Sequence, residues 1–361
     1  MGAPTSVAAL LGTHPSGPLN QATLINSFAA FTQQFGTVAQ GSRAGTLLYG
    51  VQGFFENGGQ SLYVVRVANE KPVSYSGNRT AKTGIYALDG ISGFNLLVLP
   101  GVSEPAVLSA ASVYGAQRGA FFIIDSPGPA LTPAQISSVI SGGSIRRSDQ
   151  SAVYYPWLSI PDLFNGNKPI MFPPSGHVAG IYANTDATKG VWQAPAGLTA
   201  RLNGVLGLSR SLTDTETVQL SALGVNCLRT FPANGPVVWG ARTLQPAGQT
   251  PPQFSYLPVR RFALFIEQSI VQGTAWAVFE PNSPPLWAQL RQSVSGFLTQ
   301  LYQRGAFQGA TPSAAFFVKC DAETVTQNDI NQGIVNIVVG IAALRPAEFV
   351  IIKIAIRAGK G

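Results

Sequence analysis

Between Glu348 and Arg357 apolar residues recur at every second position, so Val350, Ile352, Ile354 and Ile356 share one face of an extended strand. The opposite face opens with Phe349 and Ile351 and then turns to Lys353, Ala355 and Arg357, as a strand does where its end leaves a core. A long apolar terminal strand left as a bare edge is a template for pairing. The pattern therefore predicts that it closes its own sheet or is donated to the sheet of another subunit.

Upstream, TSVAALLG and SLYVVRVA read as strands, while SFAAFTQQFG and TLLYGVQGFFENGG read as helices closed by Gly36 and by Gly58-Gly59. EKPVSYSGNRTAKTG is polar and without period, which predicts a surface loop. From Ile85 the pattern changes. The continuous apolar runs FNLLVLPG and AFFIID flank the helical spacing of PAVLSAASVYGAQRG, and LTPAQISSVISGG followed by SAVYYPWLSI adds another step. Unbroken apolar strands around a helix point to a parallel sheet buried on both faces.

Past Ile160 come Pro-rich loops, a helix around HVAGIYANTDATKG, and a Gly-, Asn- and Pro-punctuated stretch expected to be mostly loop. VRRFALFIEQSI then reads as a helix and AWAVFE as a strand. In PPLWAQLRQSVSGFLTQLYQRG, Leu286, Leu290, Val294, Phe297, Leu298 and Leu301 form one helical stripe, with Gly305 just beyond it. FFVKC, VNIVVGIA and EFVIIKIAIR follow as strands. The expected fold class is α/β: a mostly parallel central sheet, then an α+β C-terminal part with an antiparallel sheet backed by helices. The expected divisions are residues 1–84, 85–232 and 233–361.

Composition sharpens this in one respect. Of 361 residues, 45% are hydrophobic but only 11% charged, against roughly 25% charged in an ordinary soluble domain. So bare a surface implies assembly, with extracellular exposure as the alternative. Gly 39 and Pro 26 punctuate a fold with many turns. The net charge of +7 is spread over single residues and short pairs such as Arg146-Arg147 and Arg260-Arg261, with no basic tract, so nucleic-acid binding is not expected. Runs such as IVNIVVGIAAL are too short to span a bilayer, and MGAPTSVAALLGTH lacks the basic start of a signal peptide. Direct membrane insertion is not expected. The MGAPTS start matches a permissive N-myristoylation pattern at Gly2, read as chance.

Candidate chemistry is sparse. His14 and His177 are the only histidines, and neither stands in a metal-ligand spacing. There is no G-x-S-x-G elbow, so a hydrolase would have to recruit a histidine without a local signature, His177 in PPSGH being the better choice. GNRTAKT has the outline of a phosphate loop, but Ala81 stands where the Gly before the Lys is required. Asp214 and Glu216 read as first-turn charges of a helix. Cys227 and Cys320 sit in apolar surroundings, which favours buried free thiols. Neither catalytic residues nor a cofactor or metal site are expected, and the chain reads as a non-enzyme.

The phrases TDATKGVWQAPAG, LNGVLGL with SLTDTE, GVNCLRTF, VVWGARTL, VRRFALFIEQSI, VFEPNSPPLW, GAFQGATP and GIAALRPAEFVI closely resemble contractile tail sheath proteins. That family includes the sheaths of phage tails, tailocins and extracellular contractile injection systems. TSVAALLG, SGPLNQATLINSF and GFFENGGQSLYVVRV extend the likeness to nearly the whole chain.

The resemblance implies a subtilisin-like middle domain without protease activity. It also implies a structural role, in which subunits stack as helical, six-fold rings around an inner tube and collapse from a long metastable lattice into a short, wide one. Partners would be further copies of the chain, the inner tube protein, and baseplate and tail-terminator proteins. Assembly would take place in the bacterial cytoplasm, ahead of a place in a virion or an extracellular or cytoplasmic contractile particle. Terminal strands are exchanged between subunits in this family, which makes Phe349, Val350, Ile351, Ile352, Ile354 and Ile356 the expected subunit-linking strand, with Pro346 and Gly359 as hinge or stop positions. Members carry a further arm ahead of the segment matching TSVAALLG. Here Met1 stands almost on that segment, so either the arm lies outside this sequence or the C-terminal tail links the subunits alone. Contact with the tube is expected at Thr326, Asn328, Asp329 and Asn331, with Arg291 and Arg304 as runners-up.

Overall fold

The computed structural model describes residues 2–39, 45–245, 253–344 and 349–358, with the side chains of 349–351 also outside the description. Pro346 and Gly359 therefore lie outside the described residues. The chain divides into two compact units, Pro4–Arg260 and Arg261–Gly361, the second joined by Met1–Ala3. The lines drawn from the sequence at 84/85 and 232/233 fall within a 3-10 turn, Gly84–Leu88, and within a hairpin turn in the larger unit.

The larger unit begins with β1 (Val7–Gly12), β2 (Thr23–Ile25), α1 (Phe28–Phe35), α2 (Gly45–Glu56), β3 (Ser61–Arg66) and α3 (Pro72–Ser76). It continues through β4 (Leu96–Val98), α4 (Pro105–Gln117), β5 (Phe121–Asp125), α5 (Pro133–Ser141), β6 (Ser151–Tyr155), β7 (Leu158–Asp162) and β8 (Lys168–Phe172). Then come α6 (Ser175–Lys189), β9 (Gly207–Leu208), α7 (Asp214–Ala222), β10 (Val225–Phe231) and β11 (Gly235–Val238). The main sheet has the order β11-β10-β6-β5-β4-β1-β3-β2, parallel from β10 to β3 and antiparallel at each edge.

Alternate residues of the parallel strands enter opposite cores, because side chains in a strand have a period of two. On one face Ala9, Leu11, Leu97, Phe122 and Val153 pack with Leu108 and Ala111 of α4, Ile136 of α5 and Leu220 of α7. On the other, α2 and α6 cover the sheet, and Tyr182 of α6 meets Tyr154 of β6 hydroxyl to hydroxyl at 2.6 Å. The parallel sheet expected from the apolar runs is thus present.

Three expectations are corrected. The polar segment after Glu70 is not all loop, since Pro72 opens the short α3, a position where a missing N–H costs nothing. The stretch beyond Gly190, expected to be loop, supplies β9, β10 and β11. The pattern of β10 is masked by a buried Asn226, whose side chain donates to the carbonyl of Arg242 and accepts from its N–H at 2.8 and 2.7 Å. The Pro-rich segment after Ile160 forms β7 and β8, with Pro161 opposite Pro169 and β9 covering only Leu158 and Ser159. Pro161 thus lies beyond the reach of β9, where no ladder bond is lost.

α8 (Leu257–Gly273) leads into the second unit and is followed by a 3-10 turn at Ala275–Phe279, where a strand was expected. Contrary to the expectation that no run is long enough, Leu257–Phe279 is long and apolar enough to cross a membrane by length and composition alone. Its buried Phe262, Ala263, Ile266 and Ile270 are those of a core helix. The unit continues with α9 (Pro284–Gln303), α10 (Pro312–Ala315), β12 (Phe316–Lys319), α11 (Gln327–Gln332), β13 (Ile334–Ala342) and β14 (Phe349–Arg357). β12, β13 and β14 make an antiparallel sheet in that order. The stripe read on α9 is its buried face, with Leu290, Val294 and Leu298 fully enclosed. Asn282 ties the start of α9 to the sheet, accepting from the Trp287 indole at 2.8 Å and donating to the carbonyl of Ile334 at 2.9 Å.

Candidate assembly site

β14 pairs with β13 of its own chain from Ala342↔Phe349 to Ile334↔Arg357. The predicted alternation holds where side chains are described: Ile352, Ile354 and Ile356 are buried, and Lys353, Ala355 and Arg357 are exposed. Opposite them Val339, Ile337 and Val335 are fully buried, so each isoleucine faces a β-branched partner across the ladder. β14 is the last strand of its sheet, and its outer edge has no strand beside it among the described residues. Its Lys353 and Arg357 are the kind of charges with which an edge strand limits random pairing.

The expected tube-contact residues stand on and before α11, a helix with no buried residue. Thr326 and Asp329 cap each other: the Asp329 N–H donates to Thr326 Oγ1 at 3.2 Å, and the Thr326 N–H and hydroxyl donate to Asp329 Oδ2 at 2.8 and 2.6 Å. The Thr326 hydroxyl and N–H hold the Asp329 carboxyl below its ordinary range. Asn331 accepts from Gln327 at 3.1 Å, and Asn328 is exposed. Arg291 is half-buried, and its guanidinium donates to the carbonyl of Cys320 just past β12. Arg304 is exposed at the far end of α9, about 20 Å along the helix from Arg291. The structure groups Thr326, Asn328, Asp329 and Asn331 on one short helix and leaves Arg304 apart from Arg291.

Sequence reasoning missed the apolar 3-10 turn ahead of α9, where Trp276, Val278 and Phe279 are 39%, 41% and 86% exposed. A short aromatic run followed closely by Pro281, Pro284 and Pro285 was the available signal.

The residue weighed for a hydrolase is placed unambiguously. His177 lies inside α6, its ring so close to α2 that a Cβ on Gly53 would sit 2.3 Å from Nδ1. That Nδ1 is buried without a hydrogen-bond partner, and burial pushes the imidazole down to about 4. Ser175 donates directly to the Asp125 carboxylate at 2.6 Å, with no imidazole between them, so these residues do not form a Ser-His-Asp relay. Both cysteines are free and buried, and desolvation pushes each thiol up to about 12. Among the described residues no group of three or more His, Cys, Asp or Glu could hold a metal ion.

Comparison with known proteins supplies the family. The family model for the phage tail sheath protein central domain matches residues 76–244, and that for the phage tail sheath C-terminal domain matches residues 249–357. A prophage major tail sheath protein of Pseudomonas aeruginosa (strain UCBPP-PA14) is 27% identical over 285 residues, which is 76% of this chain and 69% of that protein. The sheath complex of an extracellular contractile injection system, PVC, in its contracted state superimposes with a TM-score of 0.79 at 29% identity, covering 98% of this chain and 92% of that one. The helical sheath of the anti-feeding prophage in its contracted state gives 0.78 at 31% identity, covering 98% and 93%. The chain belongs to the phage tail sheath protein family and is a structural sheath subunit.

Proposed function

We propose that copies of this chain polymerise as helical rings, six-fold in symmetry, around an inner tube, and that the sheath contracts from a metastable extended lattice to drive the tube into a target. The observation that carries the reading is β14, a terminal strand with one buried apolar face and an open outer edge, in a chain similar along nearly its full length to sheaths in the contracted state. In the assembly, residues Phe349–Arg357 link one protomer to the next by completing a shared sheet. Burial of Ile352, Ile354 and Ile356 contributes roughly 1.5–3 kcal/mol for each side chain, while association costs about 4–15 kcal/mol. One strand is marginal alone. Many links around a ring act at high effective concentration and persist while subunits rotate. The free energy of firing resides in the extended lattice, so no nucleotide or other cofactor is needed.

Thr326, Asn328, Asp329 and Asn331 face the tube, with Arg291 and Arg304 as runners-up; Arg291 also supports the Cys320 carbonyl. The remaining partners are baseplate and tail-terminator proteins. Assembly takes place in the bacterial cytoplasm, and the finished sheath is part of a phage-like or extracellular particle. The modules are residues 1–84, 85–232 and 233–361. Negative-stain microscopy of the chain co-expressed with its tube protein tests the reading: striated cylinders are expected, and dispersed single particles overturn it. A hydrolytic activity lost in His177→Ala would instead favour an enzyme.

A further inference from the structure

Apolar side chains exposed singly are ordinary on a protein surface, whereas a cluster of them marks a face that something else covers. In the C-terminal unit they cluster on the 3-10 turn Ala275–Phe279, where Trp276 and Val278 are exposed and Phe279 offers almost its whole ring to solvent. No residue from Gln268 to Phe279 carries a charge.

The geometry of the turn accounts for the cluster. Residues three apart eclipse one another in a 3-10 helix, so Trp276 and Phe279 share one side and Ala275 and Val278 the next, while Ala277 is fully buried. The turn is held at both ends. The Thr274 N–H and hydroxyl donate to the carbonyl of Ile270 at 2.9 and 2.7 Å, and the Glu280 N–H donates to the carbonyl of Ala277 at 3.1 Å. The Trp276 indole N–H is already used on the carbonyl of Gly273 at 3.1 Å, so the indole needs no further polar partner.

The turn lies against β14, and Asn282 just beyond it is bonded to the carbonyl of Ile334, the residue of β13 that pairs with Arg357. The rings therefore stand near the end of a strand whose outer edge has no strand beside it among the described residues. An open backbone edge takes N–H and C=O groups, and an apolar surface next to it takes side chains. A polypeptide supplies both. A lipid surface fits less well, because no Lys or Arg stands between Arg261 and Arg291 to meet its headgroups.

Among polypeptides, family membership favours a second copy of the chain, since similar solved chains come from a sheath complex and a helical sheath. Exchange of β14 between copies would refill the place beside β13, and with that place filled the rings are still uncovered. A further segment is needed to cover them.

We infer that the turn Ala275–Phe279 is a docking surface for a second copy of this chain, covered by a segment other than β14; the inference rests on the sheath reading above. The photo-reactive residue p-benzoylphenylalanine is placed at position 279 in the full chain co-expressed with its tube protein, and the product is irradiated. A species of twice the chain mass is expected, with its attachment point outside residues 349–357. Attachment to the tube protein alone, or to residues 349–357 alone, overturns the inference. Cylinders that give no such species overturn it and leave the proposed function standing. Dispersed particles that do give it keep the docking surface and remove the proposed function, and dispersed particles without it overturn both. Phe279→Ser is expected to leave melting of the isolated chain unchanged and to raise the concentration at which cylinders first form by about tenfold or more, the equivalent of about 1.4 kcal/mol. Assembly of that variant at the wild-type concentration also overturns the inference.

Discussion

Ser175 donates to Asp125 from both its backbone N–H and its hydroxyl, at 2.8 and 2.6 Å, fastening the start of α6 to the end of β5. Desolvation outweighs these bonds and the one from Gly101, and pushes the Asp125 carboxyl up to about 6. Two residues along α6, burial pushes His177 down to about 4. The same helix thus carries a histidine that resists protonation and holds a carboxyl that resists ionisation.

These two groups give the larger unit opposing pH dependences. His177 is depressed from 6.5 to about 4, so its contribution is present above pH 6.5 and is lost as pH falls through 4, on the order of 3 kcal/mol in all. His14, also lowered by burial, acts in the same direction. Asp125 is raised from 3.8 to about 6, so its contribution is present below pH 3.8 and is lost as pH rises through 6. Melting curves between pH 7.5 and 4 check this. His177→Met should lose part of the acid-side fall in melting temperature, and a pH profile parallel to wild type would refute the assignment.

Glycines set the distance between α2 and α6. A Cβ at Gly180 would lie 2.4 Å from the carbonyl oxygen of Phe54, and one at Gly176 would lie 2.6 Å from that of Gly50. Backbone atoms cannot rotate aside, so Gly180→Ala and Gly176→Ala should each destabilise by about 3 kcal/mol, the upper end of overpacking costs. Gly296 on α9 has nothing within 4 Å of its Cβ position, and Gly296→Ala should gain up to about 1 kcal/mol from helix propensity. Urea denaturation of the three variants reads both signs.

The contrast between β5 and β10 explains what was legible in the sequence. FFIID is apolar at nearly every position, and such a run inside a β-α-β rhythm has few structures open to it. VNCLRTF carries a buried Asn whose cost is met by the backbone of Arg242, a partner sixteen residues away that no local pattern announces. AWAVFE alternates like a strand, yet it forms a 3-10 turn. Of the candidate residues, the face of Ile352, Ile354 and Ile356 was legible because a period of two reports burial directly. The half-buried state of Arg291 was not, since its partner is a carbonyl beyond a strand distant in sequence.

Arg291 and Arg304 should therefore separate under charge reversal. Arg291→Glu removes a charge-assisted bond to the Cys320 carbonyl and sets a carboxylate against it, which should cost about 2–3 kcal/mol in the C-terminal unit. Arg304→Glu, at an exposed helix end, should cost about 1 kcal/mol or less, below the Arg291 reversal, and weaken co-sedimentation with the tube protein. Unchanged co-sedimentation would remove Arg304 from the tube contact.

Subunit linkage through β14 can be read covalently. Asn336 and Ala355 are direct partners across β13 and β14, and opposed residues of an antiparallel pair lie about 4.5–5.5 Å apart at Cα, within disulfide reach. The native thiols do not compete, because Cys227 and Cys320 are buried and pushed up to about 12. In the isolated chain, Asn336→Cys with Ala355→Cys should oxidise within single molecules, since β14 lies against its own β13. In assembled sheath the same pair should yield a ladder of covalent multimers on a non-reducing gel, because each donated strand then faces another protomer's β13. Monomers alone, after complete oxidation of intact sheath, would show that every β14 closes on its own chain and that donation of β14 onto another protomer's β13 does not link the lattice.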